Sequence, residues 1–244
     1  MCHRKCTAWL AWTFATAINF VAVATPANAA AEQDLRDIVA KMESAAVRQH
    51  SRLCGYSVVR RYTLQNKHLH PNAQMEVLLT YDRGKGKHFK ILSMKAKGVA
   101  RRSLNKLLKS ELKTSKEQRD NNAVDDSNYE FTFLGEKSCG NRECYELQLK
   151  PRRKTKYFID GIAEVSTEDY AIVQIVGHLA KSPSFWIKRP KIDLRFEKID
   201  GFWMPSYNQS TTRVLFFGKV DLTIEYSAYR LRACEGAGTD NNAP

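Results

Sequence analysis

Lys191-Ile192-Asp193-Leu194-Arg195-Phe196-Glu197 decides the fold. Three apolar side chains alternate with four charged ones, and in an extended chain successive side chains point to opposite faces. The segment is therefore a strand, apolar on one side and wet on the other. Val220-Asp221-Leu222-Thr223-Ile224-Glu225-Tyr226 repeats the pattern. So do Met75-Glu76-Val77-Leu78-Leu79-Thr80-Tyr81 (one slip, at Leu78), Tyr129-Glu130-Phe131-Thr132-Phe133 and Tyr145-Glu146-Leu147-Gln148-Leu149-Lys150. Strands of this kind build an antiparallel sheet with one solvated face, and the other face needs cover. The chain offers little of it.

That cover comes from two amphipathic helices. Over 32–50, Leu35, Ile38, Val39, Met42 and Ala46 share a stripe; over 101–113, Leu104, Leu107, Leu108 and Leu112 do. Between them, 54–65 reads as a strand, and 75–81 with 88–94 as a hairpin around Asp82-Arg83-Gly84-Lys85-Gly86. The stretch 116–127 is polar and aperiodic, hence a loop. From Tyr129 onward strands are expected near 129–135, 143–150, 155–165, 170–180, 184–198, 202–217 and 219–231. Asp200-Gly201 and Ser166-Thr167-Glu168-Asp169 are the turns, and Asp160-Gly161 is read as a bulge. The fold class is α+β, with helix, three strands, helix and a long meander in that order.

Residues 1–29 read as a cleaved secretory signal peptide: Arg4 and Lys5, an apolar run to Ala24, then Ala27-Asn28-Ala29 as the cleavage signal. An uncleaved anchor is the rival, less well matched by Asn19 and the small-residue end. No lipobox cysteine follows the apolar run. Residues 30–234 then form one domain and 235–244 a disordered tail, and the protein is expected in the periplasm. The formal charge of +13 falls by two with that segment. A basic balance ordinarily suggests nucleic acid, but an exported protein meets anionic lipid instead. An anionic membrane surface is thus a candidate partner and nucleic acid is not, with plain solubility the alternative. The cations are scattered, apart from the cluster Lys150-Pro151-Arg152-Arg153-Lys154.

Four cysteines remain beyond the leader. Cys139 and Cys144 flank a Gly140-Asn141 turn and are placed across a hairpin mouth; Cys54 with Cys234 follows by elimination. A zinc site is the competing use, without a suitably spaced histidine pair. No catalytic constellation stands out. His50, His68, His70, His88 and His178 keep no familiar spacing to Cys or carboxylate, and His68 with His70 fits a solvated loop better than a metal. There is no Gly-x-Ser-x-Gly elbow and no phosphate-binding glycine loop before a helix. No cofactor is implied, and the chain reads as a non-enzyme.

Phe158-Ile159-Asp160-Gly161, Ile172-Val173-Gln174-Ile175-Val176-Gly177-His178-Leu179-Ala180-Lys181-Ser182-Pro183-Ser184-Phe185-Trp186, Asp200-Gly201-Phe202-Trp203-Met204-Pro205, Phe217-Gly218 and Ile224-Glu225-Tyr226 together resemble exported proteins of the LolA-like, outer-membrane lipoprotein-sorting class. The resemblance covers about the last hundred ordered residues in sequence, and the rest in element order only. It implies a strongly curved antiparallel sheet, a half-open β-barrel, with helices closing the mouth over an apolar cavity. It further implies a non-enzymatic carrier of acylated lipoproteins or lipid-like ligands, working with a receptor or transporter of the envelope membrane. A lipid sensor or adaptor on the same fold is the alternative reading, and a hydrolase of envelope lipids a third.

On that reading the cavity wall comprises Leu79, Tyr81, Phe131, Phe133, Leu147, Trp186, Leu194, Phe196, Trp203, Leu222, Ile224 and Tyr226, and the lids carry Leu35, Ile38, Met42, Leu104, Leu107 and Leu108. Of the adjacent aromatics, Trp186 and Trp203 are placed inward, Phe185 and Phe202 at the rim. Gly161, Gly177 and Gly218 are expected to permit sharp curvature. The strong basicity and the two disulfides depart from the well-studied carriers.

Overall fold

The computed structural model describes residues 26–68, 72–112 and 123–234, with side chains from residue 32 onward. Most of the leader, His70, part of the 116–127 loop and the 235–244 tail lie outside the described residues.

Helix α1 (Pro26–Arg52) runs straight into β1 (Leu53–Asn66), followed by β2 (Ala73–Asp82), β3 (Gly86–Lys95) and helix α2 (Gly98–Leu112). Then come β4 (Tyr129–Ser138), β5 (Glu143–Pro151), β6 (Ile159–Ser166), β7 (Ile172–Leu179), β8 (Lys191–Ile199), β9 (Phe202–Val214) and β10 (Gly218–Ala233). All ten strands form one antiparallel sheet in the order β3-β2-β1-β10-β9-β8-β7-β6-β5-β4. The sheet is open: β3 and β4 are its two edges. Chain order explains this, because the link from β3 to β4, which contains α2, must pass from one edge to the other. The remaining non-local pairing joins first strand to last, and there the Cys54–Cys234 disulfide closes a separation of 180 residues. Cys139 and Cys144 are also bonded, across a turn closed by Cys139 N–H donating to Arg142 O at 2.9 Å.

Both helices lie on the apolar face. Ile38 and Met42 of α1 pack with Tyr129, Leu147, Leu149, Phe158, Ala163, Val165, Ile175 and Ile192 of the β4–β8 half. Ala100, Leu104 and Leu108 of α2, spaced four apart, pack with Tyr62, Ala73, Met75, Val77 and Ile224 of the β1–β3 and β10 half. The outer face carries short ion-paired ladders, such as Lys137 Nζ to Glu164 at 2.8 Å and Arg195 to Asp193 at 2.8 Å. Exposed pairs like these contribute little to stability.

Three expected strands are shorter than their apolar patterns. Residues 155–158, 184–190 and 215–217 are loops at one rim. Pro183 and Pro190 bracket the second of these, and proline supplies no ladder donor. Phe216 (φ +67) and Gly218 (φ +76) turn the third, so Gly218 serves a reversal rather than curvature. Asp160 and Gly161 are not a bulge: Gly161 pairs regularly with Leu149 and Gly177, and the β6–β7 irregularity falls at Glu164/Val165. Gly161 faces Gly177 because the strands come too close for a Cβ; one on Gly177 would lie 2.7 Å from the Gly161 Cα.

Candidate functional site

Directly opposed residues of antiparallel strands share a face, so register shows what the concave side presents. Ile192 and Leu194 of β8 oppose Ser210 and Asn208 of β9, which in turn oppose Leu222 and Ile224 of β10. The middle strand thus sets a polar column, Asn208 and Ser210, between the apolar halves under α1 and α2. The pattern 202–214 carries this signal plainly, in a run of Ser, Asn, Gln and Thr where its neighbours carry Ile and Leu.

Helix α1 is seated incompletely. Ile38, Val39 and Met42 are buried, but Val47 is 68% exposed, and Ala46 is exposed too although it lies on the expected stripe. Beside this C-terminal half runs a cleft of about 450 Å³, lined by the apolar Met42, Ala46, Val47, Val124, Ile172, Phe196 and Trp203 and by the polar Glu43, Gln49, Asp125 and Tyr170. A second cleft of about 630 Å³ opens on the other flank, between Leu35, Val39 and Phe131 with Arg36, Glu130 and Arg152 around them. Each volume lies in the ~300–1,000 Å³ range of small-molecule sites.

Polar bonds tie this half of α1 to the sheet at several points; at its end Arg83 donates to His50 O, and Cys234 N–H donates to Arg52 O at 2.8 Å. The Gln49 side-chain amide donates to Trp203 O at 2.9 Å and accepts from Trp203 N–H at 2.7 Å. It takes the place of a strand, because β10 pairs with β9 only from Tyr207 onward and leaves residues 202–206 bare on that side. Tyr229 OH fills another vacant position, donating to Pro205 O at 2.6 Å. Glu43 accepts from the Asp126 N–H at 2.7 Å, and Lys41 reaches Tyr170 OH at 3.4 Å. The Trp203 indole N–H donates to Asp169 at 3.2 Å, and Arg142 stands 4.8 Å over its ring.

The α2 half contains a buried arginine. Arg60 of β1, 6% exposed, shares the apolar face with Val58 and Tyr62. Its Nη1 donates to Glu111 Oε2 at 3.0 Å, Lys87 Nζ reaches the same carboxylate at 2.8 Å, and the guanidinium stands 5.0 Å over the Tyr226 ring. Arg60 Nε is buried with no hydrogen-bond partner among the described residues. Burial alone would raise the Glu111 pKa, but Arg60 and Lys87 outweigh it and hold the carboxyl below its ordinary range. Burial by itself would lower the Arg60 pKa; the neighbouring Tyr226, Glu111 and Tyr62 reverse this, and its pKa is raised. Tyr226 is pushed up to about 12, by desolvation first and against the pull of Arg60. Glu111, Lys87 and Tyr226 reach Arg60 from three other elements, so no local pattern announces the cluster.

Of the expected cavity residues, Phe196 and Trp203 line the α1 cleft and Phe131 its neighbour. Leu147 and Leu194 belong to the packing beneath α1, and Leu222, Ile224 and Tyr226 to that beneath α2. Leu79 is fully buried, and Tyr81 stacks against Tyr56 with ring centroids 5.3 Å apart. Phe133 opposes Leu147 but is 41% exposed, beyond the reach of α1. Of the lid residues, Ile38, Met42, Leu104 and Leu108 are buried against the sheet, while Leu35 and Leu107 flank them. Trp186 is a correction: it is 54% exposed and lies in the β7–β8 loop, not on a strand, because the strand expected at 184–198 starts only at Lys191. Phe202 is the reverse correction, 4% exposed rather than at the rim, with Arg52 of α1 5.4 Å over its ring. Phe185, expected at the rim, is 88% exposed.

Among the described residues no group of three His, Cys, Asp or Glu side chains could hold a metal, and no helix is long and apolar enough to cross a membrane.

An open antiparallel sheet with two helices on its concave side is an α+β architecture of the kind the sequence resemblance implies. Among solved structures the chain is similar to a DUF1329-family protein from Desulfovibrio piger (12% identity, TM-score 0.42, covering 82% of this chain and 93% of that one). It is similar also to a LolA-superfamily protein from Nitrosomonas europaea (13%, 0.41, 81% and 93%) and to a putative outer-membrane lipoprotein-sorting protein domain from Vibrio parahaemolyticus (11%, 0.40, 81% and 94%). No protein-family model and no curated protein matches the sequence. These likenesses are distant, and the reading of the site rests on its own geometry.

Proposed function

We propose that this protein is a non-enzymatic carrier or binder of an acylated lipoprotein or lipid-like ligand in the periplasm, with the acyl chain entering the cleft beneath α1. One observation carries the reading: an apolar cleft of about 450 Å³ lies beside a helix whose C-terminal half is incompletely packed, with Ala46 and Val47 exposed. A domain gains nothing from leaving such a face half-covered unless something else covers it.

The magnitudes suit transport. At ~0.8 kcal/mol per buried methylene, a sixteen-carbon chain gains on the order of 10 kcal/mol. Displacing α1 and ordering the chain offset much of that, which leaves capture reversible by hand-over to an envelope receptor. Phe196 and Trp203 would meet the chain, and Glu43, Gln49 and Tyr170 would offer polar contacts to the ligand.

Native mass spectrometry of protein purified from the envelope tests the reading. Bound species with the mass of acyl-bearing molecules, lost on detergent exchange, are expected. A chain carrying no such mass, and taking none up from added lipid, would favour the adaptor alternative.

A further inference from the structure

Four connections meet at one rim of the sheet. Ala180 N–H donates to Phe158 O at 2.8 Å, joining the β5–β6 and β7–β8 loops. Leu215 N–H donates to Trp186 O at 2.9 Å and Lys188 N–H to Arg213 O at 3.0 Å, joining the β7–β8 loop to the β9–β10 turn. The Asn66 side chain donates to Phe217 O and Lys219 O at 2.7 and 2.8 Å, which adds the end of β1. At the tip of this assembly large apolar side chains face solvent: Phe185 is 88% exposed, Phe216 84%, Trp186 54%. Their rings stand against one another, Phe185–Trp186 at 5.3 Å and Trp186–Phe216 at 6.2 Å between centroids. Phe216 adopts φ +67, a left-handed conformation that strains a residue with a bulky side chain, so the turn holds the ring outward at a cost.

Charge is distributed to match. The two loops 152–158 and 180–190 contain Arg152, Arg153, Lys154, Lys156, Lys181, Lys188 and Arg189 and no acidic residue. Arg152 pairs with Asp126 and Glu130 and Arg189 with Asp160, whereas Lys154, Lys156, Lys181 and Lys188 form no ion pair among the described residues. At the opposite rim, by contrast, Arg83, Lys85 and Arg142 are balanced by Glu168, Asp169 and Asp200. Exposed aromatics on loops rich in unpaired lysines suit the boundary between anionic head groups and acyl chains, where aromatic rings sit at head-group depth and each cation is attracted to the surface. Four unpaired lysines near three exposed rings match such a surface in both charge and apolar character.

We propose that the Phe185–Trp186–Phe216 knuckle with its basic collar docks this protein on an anionic lipid surface. The proposal does not depend on the cleft beneath α1 having a guest, since none of these three residues lines it.

The test uses the full chain and vesicles of phosphatidylcholine with or without about one quarter phosphatidylglycerol. Flotation with the anionic vesicles is expected, weakened several-fold at ~0.5 M salt by screening. Phe185→Ser combined with Phe216→Ser is expected to weaken it about tenfold or more through lost apolar contact. Both sites are exposed, so an unchanged melting temperature should accompany the loss. Brominated anionic lipid should quench the part of the emission that Trp186→Phe removes; this readout stays local to the knuckle even if another segment also holds the membrane. Undiminished flotation of the double variant with Trp186 unquenched would overturn the proposal. So would an absence of anionic-vesicle binding, which would leave a protein as the occupant of the knuckle.

Discussion

The Gln49 side chain in α1 is paired with the backbone of Trp203 in β9 through both its oxygen and its nitrogen, at 2.7 and 2.9 Å. A single amide thereby does two things. It closes the vacant side of β9 where β10 has diverged, and it ties the helix over the cleft to the sheet that forms the cleft's floor. Gln49→Leu keeps the size and removes both bonds, leaving a part-buried donor and acceptor on Trp203. A loss of about 1–3 kcal/mol is expected, with faster amide exchange confined to α1. Unchanged exchange in α1 would mean that Gln49 does not fasten the helix.

The Arg60–Glu111 pair makes a stronger claim. Glu111→Gln leaves Arg60 buried beside a neutral partner. Breaking a buried pair costs about 3–5 kcal/mol, and the low end applies because the Glu111 side chain keeps 28% exposure. Replacing both partners, Arg60→Met with Glu111→Leu, should restore most of the loss. Denaturant unfolding checks each variant. A double variant weaker than Glu111→Gln would show that the pair is more than a compensated charge.

The pH dependence follows from the same carboxyl. Glu111 is held below its ordinary range when folded, so its contribution is complete above the unfolded value of about 4.3 and is lost as pH falls through the lower folded value. Stability of the parent should therefore fall more steeply below about pH 4 than that of Glu111→Gln. Parallel acid limbs for the two proteins would contradict this.

Reducing the Cys54–Cys234 bridge removes a constraint on a loop of 180 residues. In the chain-entropy account such a crosslink is worth about 5 kcal/mol. Cys54→Ser with Cys234→Ser should lower the melting temperature far more than Cys139→Ser with Cys144→Ser, whose bridge spans five residues. Equal effects would indicate that native contacts, not loop length, dominate.

Gly177→Ala tests the close approach of β6 and β7. The added methyl would fall 2.4–2.8 Å from Asp160 O, the Gly161 Cα and Ile159 Cγ2, and two of those atoms are backbone that cannot yield. A loss of about 1–3 kcal/mol from overpacking is expected, read by thermal melting. A neutral substitution would show that the strands can separate without cost.

Much of the fold was legible from the strand runs, because a period of two reports a half-buried strand wherever both neighbours obey it. The turns at Asp200-Gly201 and 82–86 were legible for the same local reason. Trp186 misled because Phe185-Trp186 sits among apolar residues that alternate acceptably, while the prolines at 183 and 190 deny the segment its ladder. Phe202 misled because its cover is the far end of α1, joined to β9 by no sequence-local signal. Arg60 lay beyond any pattern: Glu111 and Lys87, fifty-one and twenty-seven positions away, are what let a guanidinium occupy an apolar face. Gln49 reads as one more solvated helix residue until β10 is seen to leave β9 bare.

The most direct measurement is quenching of Trp203 by a brominated sixteen-carbon fatty acid, in a Trp186→Phe background so that the exposed knuckle is silent. Trp203 lines the cleft beneath α1 beside Phe196. The account predicts saturable quenching at one ligand per chain, abolished by Phe196→Glu. Emission that never responds, from a protein that carries no acyl mass, would contradict it.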